Sequence, residues 1–322
     1  MTPSAANPSA ADLAVILCTH NPRRDYLTRV LDALRLQTLP LAKWELLIVD
    51  NRSDDPLVAR LDLSWHPAAR VVREDEAGLT PARLCGIRES TGGLLIFVDD
   101  DNVLDADYLE KAAGIAETMP LLGAWGGQRL PEFEETPPAS AAPYYPYLAI
   151  GEVQRDIWSN FAWETQPPGA GLCVRRKVAE EYVRQLAKDP RRRGLDRSGK
   201  NLISAGDLDL GLASYDIGLG LGMFTRLRLL HLIPQERLKP EYLSRLAEGV
   251  AYSQAMLNYL RFGILPVGAQ TWKRRWLEVM IRFVECNLSR RPDRHFLRDN
   301  ACGRARACAE IQRLVSCKKD LK

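Results

Sequence analysis

The apolar run Leu94-Leu95-Ile96-Phe97-Val98 ends directly on three consecutive aspartates, Asp99-Asp100-Asp101. The run has the length and the branched and aromatic content of a buried strand, so the carboxylates stand at a strand's mouth. Like charges this close repel, and some take up protons unless a cation sits among them. Hard oxygen ligands suit Mg2+ or Mn2+, ions that often bridge to phosphates. A helix start with Asn102 or Asp105 as cap accounts for one acid, not for three. The feature therefore predicts an α/β protein with a metal–diphosphate site at a strand end.

The flanking sequence extends this pattern. Residues 13–18 form a second buried-type run, and Asn21-Pro22 reads as the cap and first position of a helix. Tyr26, Leu27, Val30, Leu31 and Leu34 follow at helical spacing. Strands are expected at 44–49 and 70–72, a helix at 81–90, then the 94–98 strand. This is the rhythm of a parallel sheet covered on both faces. In such sheets functional residues gather at the carboxyl ends of strands, where Thr19-His20-Asn21, Asp50-Asn51 and the aspartate triplet all fall.

After residue 120 the character changes. A strand is expected at 123–127, a Pro/Ala/Tyr-rich loop at 131–146, a strand at 172–174 and a helix at 178–187. A basic loop at 189–200 leads to Ser204-Ala205-Gly206-Asp207-Leu208-Asp209-Leu210, which opens a helix to about 216. From about 239 the chain reads as helical. The expected organisation is a loose tail at 1–11, a domain at 12–238 (halves 12–120 and 121–238) and a helical C-terminal extension at 239–322.

A net charge of +3 argues weakly for any polyanion, and no nucleic-acid partner is expected. The 7 cysteines are odd in number and form no CxxC pair, which suits buried thiols in a reducing compartment. No signal segment opens the chain, and no apolar stretch reaches the roughly 18–20 residues of a spanning helix. A cytoplasmic protein is expected, with peripheral contact at the inner face of a membrane left open.

Four elements in order, across about residues 13–250, resemble the family 2 glycosyltransferases, nucleotide-sugar enzymes of the GT-A fold. Cys18-Thr19-His20-Asn21 is similar to the family's first nucleotide loop, and Ile48 to Asp55 to its second strand and acidic turn. Gly78 to Arg83, running through Asp99-Asp100-Asp101, is similar to its helix and DXD element; Gly206 to Leu210 resembles its acid motif. The resemblance implies a Rossmann-like nucleotide-binding βαβ sheet and an inverting transfer dependent on Mn2+ or Mg2+. The implied donor is a nucleoside-diphosphate sugar, a UDP-sugar as the first guess. The implied acceptor is a glycan or lipid-linked hydroxyl, in bacterial surface polysaccharide or glycolipid assembly. Thr19 and Asn21 would line the nucleotide pocket, and Asp50 would accept a hydrogen bond from the base. Arg83 would reach the nucleotide or its phosphates. Asp99 and Asp100 would contact the nucleotide sugar, and Asp99 and Asp101, with His231, would hold the metal. Asp207 would be the general base, with Asp209 as the competing candidate because Gly206 stands where the motif usually has Glu.

Each assignment has a plainer local reading. Thr19 and Asn21 could cap a helix, Asp50 could begin an Asx-turn, and Asp207 or Asp209 could cap the helix after them. Arg83 could be a solvated helix residue and His231 a structural one. Arg191-Arg192-Arg193 reads as a solvated loop or as an arm folding over a diphosphate. Trp158, Phe161 and Trp163 beside Glu164 read as core or as a sugar-stacking acceptor platform. The Trp272/Trp276 stripe with Lys273, Arg274 and Arg275 reads as core or as a membrane-surface face. A haloacid-dehalogenase-type phosphatase would continue its triplet with Gly-Thr, where this chain has Asn102-Val103. A sugar nucleotidyltransferase would open with a Gly-rich loop, and residues 18–22 contain no glycine. The triplet also lacks the glycine of an EF-hand. The non-enzyme alternative is a catalytically degenerate GT-A-like module that binds a nucleotide sugar or glycan.

Overall fold

The structure is a computed structural model and describes residues 12–160, 163–199, 201–266 and 293–319. The predicted tail, Phe161 and the Trp272/Trp276 stripe lie outside the described residues.

The fold is built on a nine-stranded mixed sheet. Its parallel part runs β3 (Ala69–Arg73), β2 (Trp44–Asp50), β1 (Leu13–Thr19) and β4 (Leu94–Asp99). Every residue of β1 and β2 is buried, because helices cover both faces. Such strands read as unbroken apolar runs rather than as alternations. Leu13, Val15 and Leu17 pack on one face with α1 (Arg24–Arg35) and α3 (Tyr108–Thr118). Ala14, Ile16 and Cys18 pack on the other with α2 (Leu79–Glu89), α4 (Arg176–Lys188) and α5 (Gly206–Asp216).

Beyond β4 the sheet departs from the all-parallel expectation. It continues through β8 (Leu172–Arg175, antiparallel to β4), β6 (Leu122–Phe133), β9 (Gly220–Ile233) and β5 (Asn102–Leu104), with β7 (Ile157–Ser159) paired to β9. The strand expected at 123–127 therefore runs on to Phe133, and a 3-10 segment (Ala139–Leu148) replaces much of the expected loop. β9 bridges the two halves of the sheet: parallel to β6, antiparallel to β5, in register Asn102 opposite His231.

α1 starts later than the Asn21-Pro22 signal implies, at Arg24. Asn21 has φ +49, a left-handed conformation that Asn tolerates better than most residues. Its side chain closes a reciprocal pair with Asp54, accepting from the Asp54 N–H and donating to Oδ2, each at 2.9 Å.

α6 (Pro240–Phe262) and α7 (Arg294–Lys319) pack against each other and against the 3-10 segment. Tyr144 donates to Asp299 (2.9 Å), Tyr147 donates to Asn300 (2.6 Å), and Phe296 meets Tyr144 edge-on. Among the described residues no helix is long and apolar enough to cross a membrane.

Candidate active site

A cavity of about 410 Å³ opens at the carboxyl ends of β1 and β4. The register that sets Cys18 beside Asp99 brings the two strand ends together, and the Thr19 hydroxyl donates to the Asp100 carboxylate. The β5–β9 pairing then delivers His231 to the same place. Its Nε2 lies 3.4 Å from Asp101 Oδ1. The turn after β9 supplies Arg237, whose Nη2 is 2.9 Å from Asp101 Oδ2. Asn102 donates to Asp101 Oδ1 at 2.8 Å.

The three carboxylates are electrostatically unequal. Burial and the Asp101 charge raise Asp99, with Arg83 and His231 opposing. Burial, then Asp101, pushes Asp100 up to about 7, partly offset by the Thr19 hydroxyl. Burial alone would raise Asp101 too, but Arg237 and His231 outweigh it and hold that carboxyl below its ordinary value. Two acids held toward protonation beside one that is ionised make a cluster able to accept more positive charge. Asp99, Asp101 and the His231 imidazole fit a hard divalent cation in donor chemistry, and His231 Nδ1 is buried without a partner. Among the described residues no three such groups already converge as a ligand set; Arg237 is the resident counter-ion of Asp101.

Arg83, Asp207, Gly169 and Arg197 line the same cavity. Asp207 is the second residue of α5, and its Oδ2 accepts the Gly169 N–H at 2.6 Å. Arg83 is 3% exposed and donates to Asp196 Oδ2 at 2.8 Å. A Cβ on Gly169 would lie 2.7 Å from Arg83 Nη2 and 3.1 Å from Asp207 Oδ2, so both groups close on this glycine.

The cavity thus gathers Thr19, Arg83, Asp99, Asp100, Asp101, Asp207 and His231 from the residues singled out in the sequence. Others lie elsewhere. Asn21 is committed to Asp54, as above. Asp50 is 1% exposed and accepts from the Ser53 and Leu57 N–H groups at 2.9 and 3.1 Å, which is the Asx-type reading. Its neighbour Asn51 lines the cavity instead and ties Gly78, at the head of α2, to the sheet through a 2.8 Å hydrogen bond. Asp209 is fully buried and pairs with Arg192 (2.9 Å) and Arg261 (3.0 Å), away from the cavity. Glu164 is exposed and outside the cavity lining, in the short turn Trp163–Thr165. In the basic loop Arg191 pairs with Asp189 and Arg193 with Glu76, so the triplet is used structurally. Arg197, Arg237 and Tyr147, which line the cavity, carry no local signal in the sequence; long-range topology delivers them.

Residues 14–166 match the model of glycosyl transferase family 2. That part of the chain is thus similar to the family 2 glycosyltransferases. Glycosyltransferase AglE of Haloferax volcanii is 28% identical over 102 residues, 31% of this chain and 33% of AglE. The uncharacterized glycosyltransferase YwdF of Bacillus subtilis is 26% identical over 106 residues, 33% of this chain and 38% of YwdF. The chain thus spans about a third of the length of these curated relatives. Among solved structures, S. aureus TarS superposes with a TM-score of 0.51 at 14% identity, over 94% of this chain and 90% of that one. TarS in complex with UDP-GlcNAc gives a TM-score of 0.52 at 14% identity, over 89% of this chain and 79% of that one. The fold is GT-A.

Proposed function

We propose that this chain is an inverting glycosyltransferase that moves a sugar from a nucleoside-diphosphate sugar, first among them a UDP-sugar, to a hydroxyl acceptor. The observation that carries this reading is the convergence, in one cavity of about 410 Å³, of Asp99–Asp101, Asp207 and the guanidinium groups of Arg83, Arg197 and Arg237. That volume lies within the usual range for small-molecule sites, roughly 300–1,000 Å³. Support for the donor class comes from TarS, whose structures include complexes with UDP-GlcNAc and with UDP. The acceptor we favour is a glycan or lipid-linked glycan of bacterial surface polysaccharide or glycolipid assembly, met by a cytoplasmic protein at the inner face of a membrane.

Arg197 and Arg237 are placed to offset the diphosphate charge, and the Thr19 hydroxyl fixes Asp100 at the nucleotide side. Asp99, Asp101 and His231 would hold Mn2+ or Mg2+, which would act as a Lewis acid toward the leaving diphosphate. Asp207 is the general base: its carboxylate takes the acceptor proton as the oxygen attacks, and the Gly169 N–H fixes its orientation. One displacement with one base inverts the anomeric carbon.

The test is a thermal-shift panel of nucleoside diphosphates and nucleotide sugars, with and without Mn2+, joined to a UDP-release assay. A ligand that binds only the folded state raises the midpoint by mass action. A metal-dependent rise for one nucleotide, with slow release of nucleoside diphosphate, is the expected result. A rise without any turnover makes the chain a binding module; no rise with any nucleotide removes the donor-site reading.

A further inference from the structure

We propose that Asp196 is a positioning residue that fills the space a side chain on Gly206 would take and holds Arg83 beside Asp207. The inference rests on the reading of Asp207 as the base.

The geometry is close on every side. Asp196 follows the 3-10 segment Pro190–Leu195, and Gly206 opens α5. A Cβ on Gly206 would overlap Asp196 Oδ2 and lie 2.7 Å from its Cγ and 2.9 Å from its Cβ. Gly206 is not among the glycines in the left-handed region, so its backbone does not demand glycine; the neighbouring carboxylate does. That carboxylate cannot swing aside cheaply. Oδ1 accepts the Arg197 N–H at 2.9 Å and Oδ2 accepts Arg83 Nη1 at 2.8 Å. Both side chains of the pair are nearly sealed, Arg83 at 4% and Asp196 at 2% exposure.

Asp196 does not line the cavity, whereas Arg83, Arg197 and Asp207 do. It therefore acts through Arg83 rather than on a substrate. Nη2 of that guanidinium faces Gly169, the residue whose N–H holds Asp207. A buried ion pair adds little net stability over well-packed apolar side chains, so its value here lies in where it puts the guanidinium. With Asp196 in place Arg83 is shared among Asp196, Asp207 and Asp99, with Asp196 the largest of the three. Without it, more of the cation's charge falls to Asp207, which becomes a closer ion-pair partner and a poorer proton acceptor.

The test compares Asp196→Asn, Asp196→Gly, Gly206→Asp and the double variant Asp196→Gly/Gly206→Asp, with UDP-GlcNAc and Mn2+ as the probe. UDP release and thermal midpoints are measured for each. Asp196→Asn keeps the volume and removes the charge; kcat is expected to fall about 10- to 100-fold, the scale of a misplaced catalytic group. The KM for UDP-GlcNAc should stay within about threefold, since donor binding is not what is lost. Gly206→Asp alone should lower the midpoint, although an acid at a helix start is otherwise favourable. In the Asp196→Gly background the same substitution should raise both midpoint and kcat, because it returns a carboxylate to the emptied space. Native kcat in Asp196→Asn, or equal effects of Gly206→Asp in both backgrounds, overturns the proposal. Asp207→Asn is run alongside: full turnover there removes the base reading, while loss there with native turnover in Asp196→Asn removes only this inference.

Discussion

Replacing Asp209 by Asn separates scaffold from chemistry, because the sequence leaves Asp207 and Asp209 as rival bases two residues apart. Asp209 is 0% exposed, and its partners Arg192 and Arg261 have side chains 7% and 5% exposed. Breaking a buried pair by removing one partner typically costs about 3–5 kcal/mol, because the other charge stays buried and uncompensated. Part of that penalty is relieved here: Gln185 Oε1 still accepts from Arg192 at 3.0 Å and from Arg261 at 3.1 Å, and Arg261 keeps Asp216. The expected loss is therefore at the lower end, about 3 kcal/mol, against a total of roughly 5–15 kcal/mol for a domain. With a urea slope of about 2–3 kcal/mol/M, the midpoint should drop by about 1–1.5 M. Urea titration followed by tryptophan fluorescence and far-UV circular dichroism measures it. The folded fraction of the variant should retain near-native turnover. A variant as stable as the native protein that has lost kcat would refute the reasoning and move the base to Asp209.

Four further outcomes follow from the same structure. Asp101→Ala should abolish any metal-dependent midpoint rise with UDP, and an undiminished rise, or one that survives chelator, removes Asp101 from the metal site. Glu45 accepts from Thr91 N, Thr91 Oγ1, Gly92 N and Arg70 Nη1; burial would raise its pKa, but these partners lower it below 4.5. Its stabilisation is thus present above the unfolded value and lost as pH falls through the folded one, so Glu45→Gln should cost about 1–3 kcal/mol at pH 7 and progressively less below pH 4.5, read by denaturation at several pH values. Asn300→Ala removes the acceptor of the Tyr147 hydroxyl, and should cost about 1 kcal/mol in urea while changing KM, since Tyr147 lines the cavity. Gly127→Ala puts a Cβ onto the Leu227 carbonyl, with its carbon 2.7 Å away at the β6–β9 register shift, and should destabilise by about 1–3 kcal/mol in thermal unfolding.

Strands β1, β2 and β4 are legible because they are buried on both faces and read as nearly continuous apolar runs. β9 is not: its opening glycines and its arginines at 226 and 228 break such a run, although it carries His231 to the aspartates. Local turn chemistry misled at Asn21, where a cap-like residue instead adopts φ +49 and closes on Asp54. At the end of β2 two adjacent polar residues divide the work. Asp50 satisfies turn N–H groups beneath the surface, and Asn51 reaches the cavity. Asp207 and Asp209 looked alike because both stand in the first turn of one helix; only the burial of Arg192 and Arg261 around Asp209 distinguishes them. Arg197, Arg237 and Asp196 are set by contacts across the fold, and no spacing in the sequence announces them.

The most direct test of the central claim is turnover of UDP-GlcNAc in Asp207→Asn with UDP affinity measured on the same sample. UDP binding should stay close to that of the native chain, because Asp207 lies outside the aspartate triplet and its carboxylate is held by the Gly169 N–H, together with loss of nearly all kcat. Near-native kcat in that variant would contradict that claim.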